Sequence, residues 1–283
     1  MLPASLLRLR RSLLKRFADR VFEAEKHKTI ARYGMFGPNL LYESLKSAGI
    51  RQGCVLLVHS SWDRFYNFKG TSIDVIDVLE RLVGPDGTLL MPAHTHFGDN
   101  APFIFDARKS PAHTGIICEL FRRRSGVVRS LHPTHSVCSK GPLAVSLTRD
   151  HHKESLSCGP LSPYAKLIAY GGEILGLGLP PGYTTFLHVV EDEDLAAYPR
   201  QTYLDKEYDF TVIDNLGRKM ELKVRRRDPV LGSSLDLNRI APNLTPESHK
   251  TFSIAGVPAF WAKASLLHGE MQRLKERGII LYA

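Results

Sequence analysis

Short apolar runs alternate with amphipathic segments along much of the chain. Apolar runs bounded by Gly or Ser, such as Cys54–His59 and Thr88–Pro92, predict buried strands. Apolar residues at three- and four-residue steps, as in Ser72–Val83, predict helices. By the same criteria we expect helices over 38–48, 116–124 and 162–169 and a strand over 173–179. Such alternation indicates an α/β fold: three α/β/α layers around a central mixed, largely parallel sheet.

The pattern changes to a period of two after residue 200, on both sides of a turn at Asn215-Leu216-Gly217. The alternating apolar positions are Tyr208, Phe210 and Val212 before the turn and Met220, Leu222 and Val224 after it. This pattern predicts an antiparallel hairpin in an annex covering 200–257. A last helix is predicted over Pro258–Arg277. We expect one domain, 1–283, that carries this small annex near its C-terminus.

The first 32 residues predict an amphipathic basic helix. Its apolar positions are Leu6, Leu9, Leu13, Phe17 and Val21. Basic residues interrupt them, so we expect neither a signal-peptide core nor a membrane span. We expect this helix to pack against the protein's own core or against another subunit rather than to anchor the protein at a membrane surface. Packing against another subunit would give a homo-oligomer. The reason is that Asp19, Glu23 and Glu25 dilute the positive face.

Composition narrows the compartment and the partners. The four cysteines of the 283-residue chain have no paired metal spacing, which favours reduced thiols in a cytoplasmic protein. The net charge of +9 raises nucleic acid as a partner. However, the basic clusters lack the interleaved aromatic residues of a single-strand binding surface, so no nucleic acid partner is expected. A small anionic substrate or cofactor is an equal explanation of the charge.

Candidate chemistry collects where predicted strands end and loops begin, the usual place for ligands in an open α/β sheet. Polar residues follow two strands and fill a loop: His59-Ser60-Ser61, then His94, His96 and Asp99, and finally Arg129 to Ser136 with His132 and His135. Further along, His188 and Glu191 are three residues apart and would share a helix face. An imidazole and a carboxylate on one rim can form the base and orienting group of general-base catalysis.

Ordered motifs make the chain resemble the aminoglycoside 3-N-acetyltransferase (antibiotic N-acetyltransferase) family over roughly residues 40–195. The motifs are Val58-His59-Ser60-Ser61, the segment 83–92, Arg129-Ser130-Leu131-His132-Pro133-Thr134-His135-Ser136, Ser162-Pro163-Tyr164 and the segment 185–191. The resemblance implies an enzyme on an α/β/α scaffold that transfers acetyl from acetyl-CoA directly to a primary amine. No metal is expected.

The resemblance also implies roles for particular residues. His132 matches the base that accepts the amine proton, and Glu191 matches the carboxylate that orients it. Ser60 and Ser61 would lie along the pantetheine and thioester, although helix capping is the alternative for both. Arg129 and Ser130 would meet phosphate or carbonyl oxygen of the cofactor. Contacts with the amine substrate are assigned to His135, His96, Asp99 and His188, and local hydrogen bonding is an equal interpretation for His135.

The identity of the amine is argued from charge. Aminoglycosides are polycations, whereas this chain is basic and has few acidic clusters near its motif loops. We therefore favour an amino sugar, including nucleotide-linked amino sugars of surface polysaccharide biosynthesis, with aminoglycoside resistance as the close alternative.

Three other hypotheses stay open. A zinc hydrolase could use His94 and His96, since alternate residues of a strand share a face, with Asp99, Asp106 and His132 as further ligands. A silent binding protein could retain the scaffold. Acetyl transfer could also pass through Cys138, for which a buried structural thiol is the commoner explanation.

Overall fold

The computed structural model describes residues 20–232 and 234–282. Residues 20–33 are helical, and we call them α1. Four positions of the predicted basic helix, namely Leu6, Leu9, Leu13 and Phe17, lie outside the described residues. Within the two described ranges, no helix combines the length and the apolar character that crossing a bilayer requires.

Two β-sheets organise the described chain. The ten strands are β1 (Val55–Ser60), β2 (Thr88–Pro92), β3 (Phe103–Asp106), β4 (Val128–Arg129), β5 (Val137–Lys140), β6 (Glu173–Leu177), β7 (Tyr203–Ile213), β8 (Lys219–Arg227), β9 (His249–Ile254) and β10 (Val257–Lys263). The helices after α1 are α2 (Pro38–Ser47), α3 (Ser72–Val83), α4 (Ile116–Arg122), α5 (Ala144–Thr148), α6 (Pro163–Ala169), α7 (Val189–Glu193), α8 (Pro229–Gly232) and α9 (Ala264–Glu276). Strand order is β4-β5-β2-β1-β6-β10-β9 in the main sheet and β3-β7-β8 in the annex sheet.

The main sheet is mixed, which confirms the predicted α/β class, although only two of its six described strand pairings are parallel. Parallel pairing is confined to its centre, where Leu57 of β1 stands opposite Leu90 of β2 and Ile174 of β6. The outer strands enter as antiparallel pairs, β4 with β5 and β9 with β10. A short connection such as the turn at 255–256 can join neighbouring strands only in antiparallel sense, whereas parallel neighbours need a crossover.

Helices cover both faces of the main sheet and enclose two cores. Leu56 and Val58 of β1 belong to one core with residues of α2, α3 and α4. Val55 and Leu57 belong to the other core with residues of α6 and α9. Because successive strand residues point to opposite faces, a strand covered on both sides must be apolar throughout. This requirement explains the uninterrupted apolar run that predicted β1.

The predicted last helix is wrong in its first part. Residues 257–263 form β10, which pairs with β6, and the helix starts at Ala264. Phe260 crosses Gly176 of β6 so closely that a Cβ at Gly176 would overlap its ring. Burial against a neighbouring strand therefore decides the conformation of this segment, and helical propensity does not override it.

The predicted antiparallel hairpin is confirmed. Tyr208, Phe210 and Val212 of β7 stand opposite Val224, Leu222 and Met220 of β8. β3 adds to this pair in parallel with β7 and supplies Phe103 and Phe105 to a third, smaller core. Residues 249–254, which were expected in the annex, form β9 of the main sheet.

Candidate active site

A branched cleft lies where β1, β2 and β6 end. It has three chambers, and His94, just beyond β2, lines all of them. The Ser60 chamber, about 500 Å³, contains Ser60, Ser61 and Gly115. The His188 chamber, about 470 Å³, contains His188, Thr184 and Asp236. The Arg226 chamber, about 340 Å³, contains Arg226, Thr134 and His135. The cleft therefore lies at the carboxyl ends of the parallel strands, where ligands bind in open α/β sheets.

The His188 chamber and the Ser60 chamber share part of their lining. Tyr183 and Thr185 line both of them. Thr184 begins the short 3-10 turn Thr185–His188, and its hydroxyl accepts from the Phe186 amide. The same hydroxyl contacts His59 Nε2 at 2.9 Å. These contacts fix the chain that carries His188 against the end of β1.

His188 and Glu191 form a pair, as their spacing of three residues predicted. His188 Nδ1 lies 2.9 Å from Glu191 Oε1. The carboxylate also accepts from Arg227 Nη1 at 2.5 Å and from the Tyr282 hydroxyl at 3.0 Å. Burial alone would raise the pKa of Glu191, but the charges and hydrogen bonds of His188 and Arg227 outweigh it and lower the pKa to about 2. Glu191 is therefore an ionised acceptor for the His188 ring.

Arg227 joins the annex to this pair. Its Nη2 donates to Asp192 Oδ1 at 2.8 Å, and its Nε donates to Ser157 Oγ at 2.8 Å. The guanidinium lies over the Tyr203 ring, 4.7 Å from its centre. Two adjacent buried carboxylates of α7, Glu191 and Asp192, thus share one buried cation. The last residue of β8 therefore holds α7, and with it His188, in place.

The predicted pairing of His132 with Glu191 is wrong. His132 is fully buried and lines none of the three chambers. Its Nδ1 accepts from the His135 amide at 3.2 Å, and its ring stacks on His151 at 4.7 Å between centres. Burial, opposed by the Ser155 carbonyl, lowers the pKa of His132 to about 3. The carboxylate of Glu191 is instead hydrogen-bonded to His188, Arg227 and Tyr282, which surround it.

Arg129 and Ser130 are structural, which corrects the prediction that they meet the cofactor. Five hydrogen-bond acceptors surround the buried Arg129 guanidinium: the carbonyls of Ala93, Ala107 and Ser110 and the hydroxyls of Thr95 and Ser136. A guanidinium has about five N–H donors, so none is left for a phosphate. The Ser130 hydroxyl accepts from the Val137 amide and contacts His151 Nδ1 at 2.9 Å.

Ser60 and Ser61 lie in the cleft, and neither makes a side-chain helix cap. Ser61 precedes the 3-10 turn Trp62–Arg64 without a capping hydrogen bond from its side chain. The Ser60 hydroxyl is buried beside the Cys118 thiol, which is a weak hydrogen-bonding group, and it has no stronger partner among the described residues. A buried hydroxyl without a strong partner can hydrogen-bond to a ligand atom. Contact of these serines with the acyl carrier stays a prediction.

The remaining predicted substrate contacts are spread around the rim. His135 lines the Arg226 chamber, and its Nδ1 contacts the Thr134 hydroxyl at 2.9 Å. His96 is exposed and stacks on His113, with ring centres 4.9 Å apart. The side chain of Asp99 is 100% exposed, and its carboxylate lies 3.9 Å from Arg226. Among these residues, His135 and His96 are those that line a chamber.

The residues of the metal and covalent hypotheses have other partners. His94 Nε2 contacts the Tyr164 hydroxyl at 2.8 Å, away from the stacked His96. In the described part of the chain, no three His, Cys, Asp or Glu side chains are grouped as a metal site. Cys138 is fully buried, and burial raises the pKa of its thiol to about 12, which disfavours the nucleophilic thiolate.

Sequence reasoning missed two residues that contact Glu191. Arg227 ends a basic run that starts at Lys223, and the alternation along β8 places part of that run inward. Tyr282 is the penultimate residue and has no motif around it. Both reach Glu191 through long-range packing that no local pattern shows.

Comparison with known proteins supports a family assignment. The family model described as aminoglycoside 3-N-acetyltransferase matches residues 57–274. Aminoglycoside N(3)-acetyltransferase VII of Streptomyces paromomycinus is 33% identical over 187 residues, which are 59% of this chain and 63% of that protein. Aminoglycoside N(3)-acetyltransferase VIII of Streptomyces fradiae is 31% identical over 61% of this chain and 65% of that protein. The match thus spans somewhat less than two thirds of these curated relatives.

Solved structures share the fold over a longer stretch. Aminoglycoside acetyltransferase AAC(3)-Xa has a TM-score of 0.77 at 26% identity, covering 91% of this chain and 99% of its own. AAC-IIIb, solved as a binary complex with CoASH, has a TM-score of 0.74 at 23% identity, covering 88% of this chain and 99% of its own. The likeness to AAC-IIIb shows a common fold.

Proposed function

This chain belongs to the aminoglycoside 3-N-acetyltransferase family, and on that premise we propose that it transfers acetyl from acetyl-CoA to a primary amine of a sugar. The observation that carries the proposal is the His188–Glu191 pair at the wall of a cleft. The Ser60 chamber, which shares His94, Tyr183 and Thr185 with the chamber that His188 lines, leaves room for an acyl donor. Acyl donor and amine can then meet in one complex, as direct transfer requires.

His188 is the proposed base. An ammonium group cannot attack a thioester until it loses a proton, and imidazole accepts protons near neutral pH. Because the ionised Glu191 can only accept, His188 Nδ1 donates to it and the lone pair is left on Nε2. Glu191 also stabilises the imidazolium that forms when the amine proton arrives. His132 lacks these features, since it is buried behind the cleft and away from a carboxylate.

The Ser60 chamber is the proposed place of the acyl carrier. Attack on the thioester creates an oxyanion, which hydroxyl or amide donors would stabilise. The buried Ser60 hydroxyl has only the Cys118 thiol, a weak hydrogen-bonding group, beside it and could donate to such an oxygen. The solved complex of AAC-IIIb, of the same fold, contains CoASH. Acetyl-CoA is therefore the proposed donor.

The proposed acceptor is an amino sugar, and nucleotide-linked amino sugars are the class we favour. Support comes from the net charge of +9 and from the arginines of the Arg226 chamber. Aminoglycosides are the second candidate, because the relatives carry that activity in their names and AAC-VIa was solved with sisomicin. Resistance to these drugs would follow from the second candidate.

An acceptor panel tests the proposal. Release of free CoA thiol from acetyl-CoA is measured with sisomicin, glucosamine, glucosamine 6-phosphate and uridine-diphosphate-linked amino sugars, with an amine-free control. We expect thiol release that depends on an amine, with higher kcat/KM for phosphorylated or nucleotide-linked sugars. Turnover of sisomicin without turnover of the anionic sugars would replace the favoured substrate by the second candidate. Absence of transfer to every amine would refute the activity itself.

A further inference from the structure

The Arg226 chamber differs from the other two chambers in its chemistry. Of the described residues that line it, two are arginines, three are histidines and none is acidic. The Ser60 chamber, by contrast, contains Asp63, and the His188 chamber contains Asp236. This branch of the cleft is therefore the one where an anionic group would meet no like charge on the lining.

The two arginines are not equivalent. Arg227 is neutralised by Glu191 and Asp192, at 2.5 and 2.8 Å. Arg226 donates instead to the carbonyl oxygens of Phe97 and Gly98, at 3.1 and 3.0 Å. Carbonyl oxygens satisfy N–H donors but carry no net charge, so the positive charge of Arg226 is not cancelled by these bonds.

The carboxylate nearest to Arg226 is a weak counter-ion. Asp99 lies 3.9 Å from the guanidinium, and its side chain is 100% exposed, whereas that of Arg226 is 19% exposed. A pair with one member in open solvent contributes little. The guanidinium is also held in place by the rings of Tyr208 and Phe103, 4.9 and 5.7 Å away. The chamber thus has a positioned, mostly buried cation that lacks a comparable anion.

Neutral hydrogen-bonding groups line the same chamber as this cation. Thr134 and His135 line the chamber from the loop before β5, and His96 lines it from the loop after β2. A guanidinium with hydroxyl and imidazole groups around it matches the several acceptor oxygens of a phosphate. The same surroundings would repel the ammonium groups of a polycation.

We propose that the Arg226 chamber binds a phosphate or diphosphate group carried by the amine acceptor. The inference rests on the proposed function and specifies its substrate class. His94 lines this chamber and the His188 chamber, so one acceptor can place its amine near His188 and its anionic group near Arg226. The Ser60 chamber is then left to the acyl carrier.

Binding of inorganic pyrophosphate to the full-length protein tests this site without any activity assay. Isothermal titration is carried out on the wild type, Arg226→Gln, Arg226→Lys and Lys223→Gln. Lys223→Gln is the matched control, because it removes one positive charge from an exposed residue of the same strand. We expect Arg226→Gln to weaken binding about tenfold to hundredfold, as loss of a charged hydrogen bond would. Arg226→Lys should keep most of the affinity, and Lys223→Gln should change it less than about twofold.

Steady-state competition identifies which substrate carries the anionic group that binds in the Arg226 chamber. We expect pyrophosphate to compete with a phosphorylated acceptor and not with acetyl-CoA, and Arg226→Gln to raise KM for that acceptor with little change for glucosamine. Competition with acetyl-CoA would overturn the proposal, as would equal weakening of pyrophosphate binding by Arg226→Gln and Lys223→Gln. If amine transfer occurs but pyrophosphate does not bind, the subsite fails and the function stands. If pyrophosphate binds through Arg226 but no amine is acetylated, the function fails and the anion site stands without an assigned acceptor.

Discussion

Two histidines near the same cleft, His188 and His132, have opposite surroundings. His188 lies at the wall of a chamber and is hydrogen-bonded to an ionised carboxylate. His132 lies behind the cleft, fully buried, and is stacked on His151. Both are loop or turn histidines in motifs that look catalytic in the sequence. The difference teaches that a carboxylate partner and access to the cleft, rather than the motif, make an imidazole a usable base.

Burial explains why the two regions diverge. A charged imidazole loses much hydration energy in the interior, so the pKa of His132 falls to about 3 and that of His59 also falls to about 3. Such rings stay neutral near neutral pH. His188 differs in its surroundings, because its Nδ1 lies 2.9 Å from the ionised Glu191 carboxylate and its ring lines a chamber of the cleft.

The largest expected effect is on catalysis at His188. We expect His188→Asn to lower kcat for acetyl transfer by about 10² to 10⁴, the usual contribution of a positioned general base. The matched control is His268→Asn, because His268 also pairs with a glutamate of α7, Glu193, at 2.8 Å, but lies outside the cleft. Rates are compared on folded protein. A larger loss of kcat in His132→Asn than in His188→Asn would reverse the comparison drawn above.

The next effect concerns the cation that holds the catalytic pair. We expect Arg227→Met to lower the free energy of unfolding by about 3–5 kcal/mol, because it leaves Glu191 and Asp192 close together without their buried counter-ion. Urea unfolding followed by circular dichroism measures the change. Lys223→Met, at an exposed position of β8, should stay within about 0.5 kcal/mol of the wild type. Equal losses in both variants would mean that the buried ion network does not stabilise α7.

The third effect is confined to low pH and distinguishes the buried histidine by its titration. Because the pKa of His132 is about 3 in the folded protein against an ordinary 6.5, the unfolded chain binds the proton first as pH falls. Its contribution to stability is thus present above pH 6.5 and is lost progressively between pH 6.5 and about 3. We expect His132→Asn to reduce the slope of unfolding free energy against pH by about 1.4 kcal/mol per pH unit in that window. An unchanged slope would show that His132 is not held neutral.

Elements formed by interactions between residues close in sequence could be predicted, and those formed by interactions between distant residues could not. β2 and α3 were predicted with their observed ends, and the β7–β8 hairpin followed from the period-two alternation around Gly217. β10 was mistaken for helix because its strand character comes from pairing with β6, more than eighty residues earlier. A segment that could form either a helix or a strand adopts the conformation that buries its apolar residues best.

The candidate site divides in the same way. Spacing along the chain was sufficient to predict that His188 and Glu191 share a face, since helix geometry brings residues three apart together. The choice of partner for Glu191, the internal position of Arg129 and the arrival of Arg227 from the annex were decided by tertiary structure. Burial and long-range hydrogen bonding determine which polar groups are satisfied inside the protein and which can bind a ligand. A sequence motif shows neither the burial nor the long-range hydrogen bonds of its residues.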